Sequence, residues 1–325
     1  MLTFRTAILS ALLALVPLAA HAQSVKSGYP TKPIRMVLPF PPGAPSDLVG
    51  RAVGQKLAEQ LGEGVVPDNR AGAGGNLGLA LVAKSPADGY TLLVTSPTIA
   101  LSPWLYKKLP YDPEKDFAPV ARLASIENVM VVHPSVPAKN LKEFIALARA
   151  RPGKLNFGSG GAGTTNHLAN ELLKYLTKID MVHVPYKGAT QATLAAVGGE
   201  VDEVIVSVAS ILPLIQEGKV RPLAVLSPKR VAALPNVPTS AESGMEKFIM
   251  SIWYGMYAPA GTPKELIARL NREVVRALES PDLRQRMTAI GIDPWPGSPG
   301  ELAQLQRSEH ARYGVIIKSA GIQPE

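Results

Sequence analysis

Small polar side chains gather in two loops of this chain, and their spacing suits the capture of an anion. The richer loop reads Asn156-Phe157-Gly158-Ser159-Gly160-Gly161-Ala162-Gly163-Thr164-Thr165, between a short apolar run and a segment of helical period. Its glycines let the backbone approach a ligand closely, while Ser159, Thr164 and Thr165 set hydroxyls beside the unpaired N–H groups of a helix start. Charge-assisted hydrogen bonds at such a place contribute roughly 1.5–3 kcal/mol each, so a singly charged carboxylate suits the cradle. The other loop, Leu38-Pro39-Phe40-Pro41-Pro42-Gly43-Ala44-Pro45-Ser46-Asp47, is stiffened by proline and also follows a strand. Open parallel α/β sheets bind ligands at the carboxyl ends of their strands. Ser46 and Asp47 fit N-cap positions there, with free N–H groups next to them for an anion. Ser46 acting only as a helix cap is the competing reading.

Other chemistries find less support. The chain has no cysteine, which removes thiol catalysis, disulfide exchange and thiolate metal sites. Gly158, Gly160 and Gly163 match G-x-G-x-x-G, but the next strand ends in Tyr186-Lys187-Gly188 without the acid a dinucleotide ribose needs. Ser159 lacks the G-x-S-x-G elbow, since Phe157 stands where the first glycine belongs, and His167 offers no third group for a triad. His133, His183 and His310 have no metal-binding spacing. In the glycine-rich stretch Asn69 to Asn76, Arg70 either meets a carboxylate or braces the loop. Trp253-Tyr254-Gly255 reads as sheet core. No metal or cofactor is expected.

The elements that hold these loops alternate between strands and helices. Short apolar runs predict strands over 34–40, 90–95, 128–133, 154–157, 181–185, 204–208, 221–226 and 253–258. Helical periodicity covers 47–61, 141–151, 166–176, 189–197 and 210–218. Such alternation predicts an α/β fold with parallel or mixed sheets flanked by helices. After Thr262 the pattern turns wholly helical, over 263–280, 281–290 and 298–320. Asn140, Thr262 and Ser298 each stand three residues before a glutamate, the capping-box spacing.

The amino terminus addresses the chain for export. Arg5 precedes an apolar run from Ala7 to Val16, and Ala20-His21-Ala22 offers small residues for a signal peptidase, so residues 1–22 read as a signal peptide cleaved after Ala22. The run is shorter than the roughly 20 residues that span a bilayer. Loss of Arg5 lowers the formal charge from +8 to +7, and no block of like charge remains. That favours a small acidic ligand over nucleic acid.

Taken together, these motifs resemble the bacterial Bug, or TctC-like, extracytoplasmic solute receptors of tripartite tricarboxylate transporters. The resemblance runs through Tyr29-Pro30, Pro39-Phe40-Pro41-Pro42-Gly43, Asn69-Arg70 with Gly72-Ala73-Gly74-Gly75-Asn76, and Asp88-Gly89-Tyr90-Thr91-Leu92-Leu93. It continues through Gly158-Ser159-Gly160, His183-Val184-Pro185-Tyr186-Lys187-Gly188, Leu234-Pro235 and Ala258-Pro259-Ala260-Gly261-Thr262-Pro263. It implies a two-lobed periplasmic binding protein of type II, monomeric and without catalysis, that closes on a ligand in the cleft between lobes. The lobes would be 23–124 with 228–300, and 125–227, with 301–325 a helix packed on the body. The implied partners are a small carboxylate, such as a di- or tricarboxylate or an aromatic acid, and the permease subunits of the transporter.

Carried onto this chain, the resemblance implies ligand contacts from Phe40, Ala44, Ser46 and Asp47 in one loop and from Ser159, Gly163, Thr164 and Thr165 in the other. Thr95, Ser96, Tyr186, Lys187 and Ser207 are further implied contacts. Two departures stand out. Ala44-Pro45 replaces a more glycine-rich sequence and narrows the first loop. Near Asp202, Val206 takes the place of a second acid, which predicts a less polar cleft and a ligand with an apolar or aromatic body. Two other functions share these features: a sensor that docks the same solute onto a signalling receptor, and an exported hydrolase using Ser159.

Overall fold

A computed structural model of the chain describes residues 28–324, so the expected signal peptide lies outside the described residues. Two mixed sheets share one long strand. In the first, β1 (Ile34–Leu38) lies parallel to β2 (Val65–Asn69) on one side and β3 (Thr91–Thr95) on the other. The antiparallel strands β9 (Ser251–Pro259), β4 (Phe117–Val132) and β10 (Asp293–Gly297) continue it. In the second sheet, β6 (Val182–Pro185), β5 (Asn156–Ser159) and β7 (Glu203–Ser207) run parallel, and β4 pairs antiparallel with β7 and with β8 (Arg221–Val225).

β4 changes partners along its length. Phe117 to Glu127 pair with β9, and Asn128 to Val132 pair with β7. Asn128 sits at that change, 1% exposed, and its Nδ2 donates to Met250 O at 2.6 Å while its own carbonyl accepts from Leu226 N at 2.8 Å. The chain therefore passes between the sheets at Glu127–Asn128 and returns after β8.

Helices bury one stripe each against these sheets. α8 (Lys264–Glu279) shows why: Leu266, Leu270, Val274 and Leu278 recur every four residues, and all are buried. Each such side chain stabilises the fold by about 1.5–3 kcal/mol. With α1 (Pro45–Leu61) and α9 (Pro281–Ala289) it covers one face of the first sheet, around Ile34, Leu38, Val53 and Leu92. The other face shares a continuous core with α2 (Asn76–Ala83), α3 (Thr98–Leu105) and α10 (Pro299–Ser319), and that core runs on into the second sheet through α4 (Leu141–Ala150) and α5 (Thr165–Thr177). α6 (Ala189–Gly198) and α7 (Val208–Gln216) cover the far face of the second sheet. Among the described residues no helix is long and apolar enough to cross a membrane.

The expected helices and most strands appear with ends moved by at most two residues. The strand expected over 128–133 is the last part of the much longer β4, whose first part holds Pro119 and two register shifts. The helical tail expected after Thr262 is interrupted by β10, an edge strand whose two prolines, Pro294 and Pro296, suppress the strand pattern. β2, α2 and α3 are also additions. Ser298 makes the full capping box, and Asn140 caps Glu143 N at 2.9 Å. Thr262 does not cap: its hydroxyl donates to Pro259 O at 2.7 Å. Nor do Ser46 and Asp47. Pro45, with its fixed φ, is the first helical residue, which moves the N-cap back to Ala44.

Candidate ligand-binding cleft

Three helices begin at one cleft of about 420 Å³. α1 enters from the first loop, α3 from the turn after β3, and α5 from the glycine-rich loop after β5. The first N–H groups of a helix lack intrahelical partners and carry its positive dipole end. Their convergence gives the cleft a positive character although no charged side chain lines it. Hydroxyls of Ser46, Ser96, Thr98 and Thr165 edge the same space. Ser46 is only 2% exposed, and its Oγ has no hydrogen-bond partner in the protein. A buried hydroxyl without a partner costs about 1–3 kcal/mol, so this one is suited to a polar ligand.

Both loops are held rigid from behind. In the first, Asp47 Oδ2 accepts from Gly43 N, while Oδ1 accepts from Arg51 Nε and Asn69 Nδ2, all at 2.9 Å. Burial pushes the Asp47 carboxyl up, but Arg51, the Gly43 N–H and Asn69 together hold it below its ordinary value. In the second, Thr164 Oγ1 donates to Gly161 O at 2.7 Å and caps the N–H of His167. Ser159, fully buried, shares its hydroxyl between Gly161 and His183 Nε2, the latter at 2.6 Å. Gly163 N donates to His167 Nδ1 at 3.0 Å. The rings of Phe157, His183 and His167 cluster nearly parallel, with His183 4.9 Å from Phe157 and 4.0 Å from His167, and Phe157 6.3 Å from His167.

Seven of the sequence-predicted contacts meet at the cleft: Phe40, Ala44, Ser46, Ser96, Gly163, Thr164 and Thr165. The others stand elsewhere. Asp47 and Ser159 are occupied inside their loops, and Thr95 is fully buried one residue behind Ser96. Tyr186 and Lys187 form a turn that backs the second loop, where Tyr186 N donates to Ser159 O and Lys187 N to Gln191 Oε1. Ser207 donates to Ser210 at the start of α7, outside the cleft lining. Arg70 pairs with Asp68 at 2.9 Å and is half exposed, a surface brace.

The apolar character expected from Val206 has a different source. Val206 is 1% exposed inside the core formed with α6 and α7, and does not line the cleft. The apolar wall comes from Leu101, Leu105 and Tyr106 of α3 and its end, and from Ile252 and Tyr254 of β9. Residues 252 and 254 share a face of β9, but the near-continuous apolar run of that strand carries no polar–apolar alternation to mark which face meets the cleft. The Ser159 hydroxyl that meets His183 is fully buried, and among the described residues no acid hydrogen-bonds to the His183 ring. Among the described residues no group of three or more His, Asp or Glu is placed to hold a metal ion.

Two sheets joined by a crossing strand, with helix starts converging between them, define a periplasmic-binding-protein fold of the solute-receptor class. The family model described as the tripartite tricarboxylate transporter family receptor, TctC, matches residues 49–322, and the chain belongs to that family. It is 39% identical over 306 residues to a UPF0065 protein encoded in the tcbD-tcbE intergenic region of a Pseudomonas species, covering 94% of this chain and 91% of the relative. Its structure is similar to that of R. palustris Rpa4515 with adipate, at 36% identity and a TM-score of 0.78, covering 91% of this chain and 100% of that one. MatC from Rhodopseudomonas palustris with bound malate is similar at 34% identity and a TM-score of 0.72, over 89% of this chain and 100% of the other.

Proposed function

We propose that the protein is an extracytoplasmic receptor that captures a small carboxylate in this cleft and delivers it to the membrane permease of a tripartite tricarboxylate-type transporter. The observation that carries the reading is the convergence of three helix N-termini on a cleft lined by Ser46, whose buried Oγ has no partner within the protein. Adipate and malate in two similar proteins support the carboxylate. The family description supports the transporter partner. The wall of Leu101, Leu105, Ile252 and Tyr254 favours an acid with an apolar or aromatic body. The receptor acts as a monomer without catalysis, with residues 23–124 and 228–300 as one lobe, 125–227 as the other, and 301–325 packed on the body. The change of partners at Glu127–Asn128 supports that division. The export-signal pattern over 1–22 and the family description support a periplasmic location.

Thermal unfolding against a panel of aliphatic and aromatic acids, each beside its uncharged amide, tests the reading. An acid at a hundred times its dissociation constant is expected to stabilise the protein by about 2.7 kcal/mol. Its amide should give little. No shift from any acid, in protein shown to be unliganded by native mass spectrometry, would overturn the carboxylate assignment.

A further inference from the structure

We infer that the stacked pair His167 and His183 is an acid-sensitive latch that positions the second ligand loop. The two rings hold opposite ends of that loop. His183 Nε2 meets Ser159 Oγ at 2.6 Å at its start, and His167 Nδ1 accepts from Gly163 N at 3.0 Å at its end. Gly163 lines the cleft, so the latch reaches the ligand space through one residue.

The geometry makes the latch depend on charge. A ring nitrogen that accepts an N–H cannot itself carry a proton, so His167 holds the Gly163 amide only as the neutral Nε2–H tautomer. Protonation at Nδ1 sets two N–H groups against each other and breaks this bond. It also places a positive ring 4.0 Å from a second imidazole, with the Phe157 ring beside both. The surrounding charges resist it. Lys174, on the same helix, disfavours a second cation at either ring. Glu171 lies 3.8 Å from His167 Nε2, but its Oε1 is already paired with Lys174 Nζ at 2.9 Å. Neither α10, which packs on α5, nor β7, whose buried Glu203 is opposite Phe157, supplies a charge that acts on the rings. Burial, then His183 and Lys174, hold His167 down at about 4, and burial and Lys174 also lower His183. The loop is thus locked at neutral pH and released in acid.

The test follows imidazole nitrogens and loop amides by NMR in ligand-free protein from pH 8 to 3.5. His167 is expected to titrate near 4. The Gly163 amide should move with the same midpoint, and the protection of amides 161–165, taken against intrinsic exchange at each pH, should fall at least tenfold below it, while amides elsewhere keep their dispersion. His183→Phe keeps a ring beside His167 while removing the second ionisable ring and its bond to Ser159 Oγ, so it isolates the His167–Gly163 half of the latch. It should move both the His167 and the Gly163 midpoints upward together, into a range where the fold is secure. An ordinary His167 titration near 6.5, or a Gly163 amide indifferent to it, would overturn the latch. The consequence for ligand rests on the carboxylate reading. With adipate as probe, retention should fall at the Gly163 midpoint, and at a higher pH in His183→Phe, where the acid's own ionisation is unchanged. If adipate and the other acids fail to bind at pH 7, the carboxylate reading is lost, and the amides still decide the latch.

Discussion

Leu105 at the end of α3 stands directly over Gly163 of the second loop: a Cβ at residue 163 would lie 3.1 Å from each of its two δ carbons. The contact joins an element of the first sheet to a loop of the second, so it fixes how closely the cleft walls approach. Gly163 also has φ +73°, a conformation that costs a side-chain-bearing residue about 1–2 kcal/mol. Gly163→Ala should therefore lower stability by about that amount and weaken acid binding by tenfold or more. Adding Leu105→Ala should recover part of the affinity, by giving the new methyl room, but none of the backbone strain. Calorimetric titration together with thermal unfolding of both variants checks the split.

Ser46 separates binding from stability. Its hydroxyl is buried at the cleft and makes no bond within the protein, so Ser46→Ala should leave the melting temperature of ligand-free protein unchanged or slightly raised. Loss of one hydrogen bond to a charged ligand corresponds to about 1.5–3 kcal/mol, at least tenfold in affinity. Equal affinity in Ser46→Ala and the parent would show that the hydroxyl does not meet the ligand.

Glu203 gives the opposite pattern, a buried acid away from the site. It is fully buried, and neither carboxyl oxygen makes a hydrogen bond. Burial pushes its pKa well above the ordinary value, with Asn170 beside it opposing only in part. The folded state thus holds a proton that the unfolded chain releases near pH 4.3. The advantage is complete below that pH and is lost as pH rises toward the folded pKa. Glu203→Gln should raise the melting temperature at pH 8, and the gain should vanish near pH 4. A flat difference across that range would mean that Glu203 does not titrate as its burial dictates.

The parts of the fold with strong periodicity were legible before any coordinates. α8 shows a clean apolar stripe, and the strands at 34–38 and 221–225 end in the apolar runs Met36–Leu38 and Leu223–Val225. Proline hid two of the elements that escaped. α3 contains Pro103 and β10 contains Pro294 and Pro296, residues that argue against the elements holding them. The two loops were visible because glycine, proline and hydroxyl residues mark a helix start. Whether each hydroxyl faces the ligand or the loop was not visible. Ser159 and Asp47 are committed by partners distant in sequence, His183 and Asn69, which no local pattern pairs with them. Residues 252 and 254 follow the same logic: their spacing puts them on a common face, but only the pairing of β9 with β3 and β4 brings that face to the cleft.

Asp47 offers the last test, because it shapes the first loop without lining the cleft. Its two oxygens accept from Gly43 N, Arg51 and Asn69, and together these partners keep it ionised below the ordinary carboxyl range. The contribution is therefore full above about pH 3.9 and is lost as pH falls through the lower folded value. Asp47→Asn keeps the shape but removes the charge, and one of its two oxygens becomes a donor facing the Gly43 N–H or the Arg51 and Asn69 pair. Leaving such buried donors unpaired costs about 1–3 kcal/mol. Unfolding at pH 7 should show that loss, and the loss should shrink as the parent is taken below pH 3.9. Binding should weaken as well, since the Gly43 turn would no longer fix Ala44 and Ser46 at the start of α1. A variant that loses stability yet binds acids as the parent does would show that the first loop keeps its shape without the Asp47 brace.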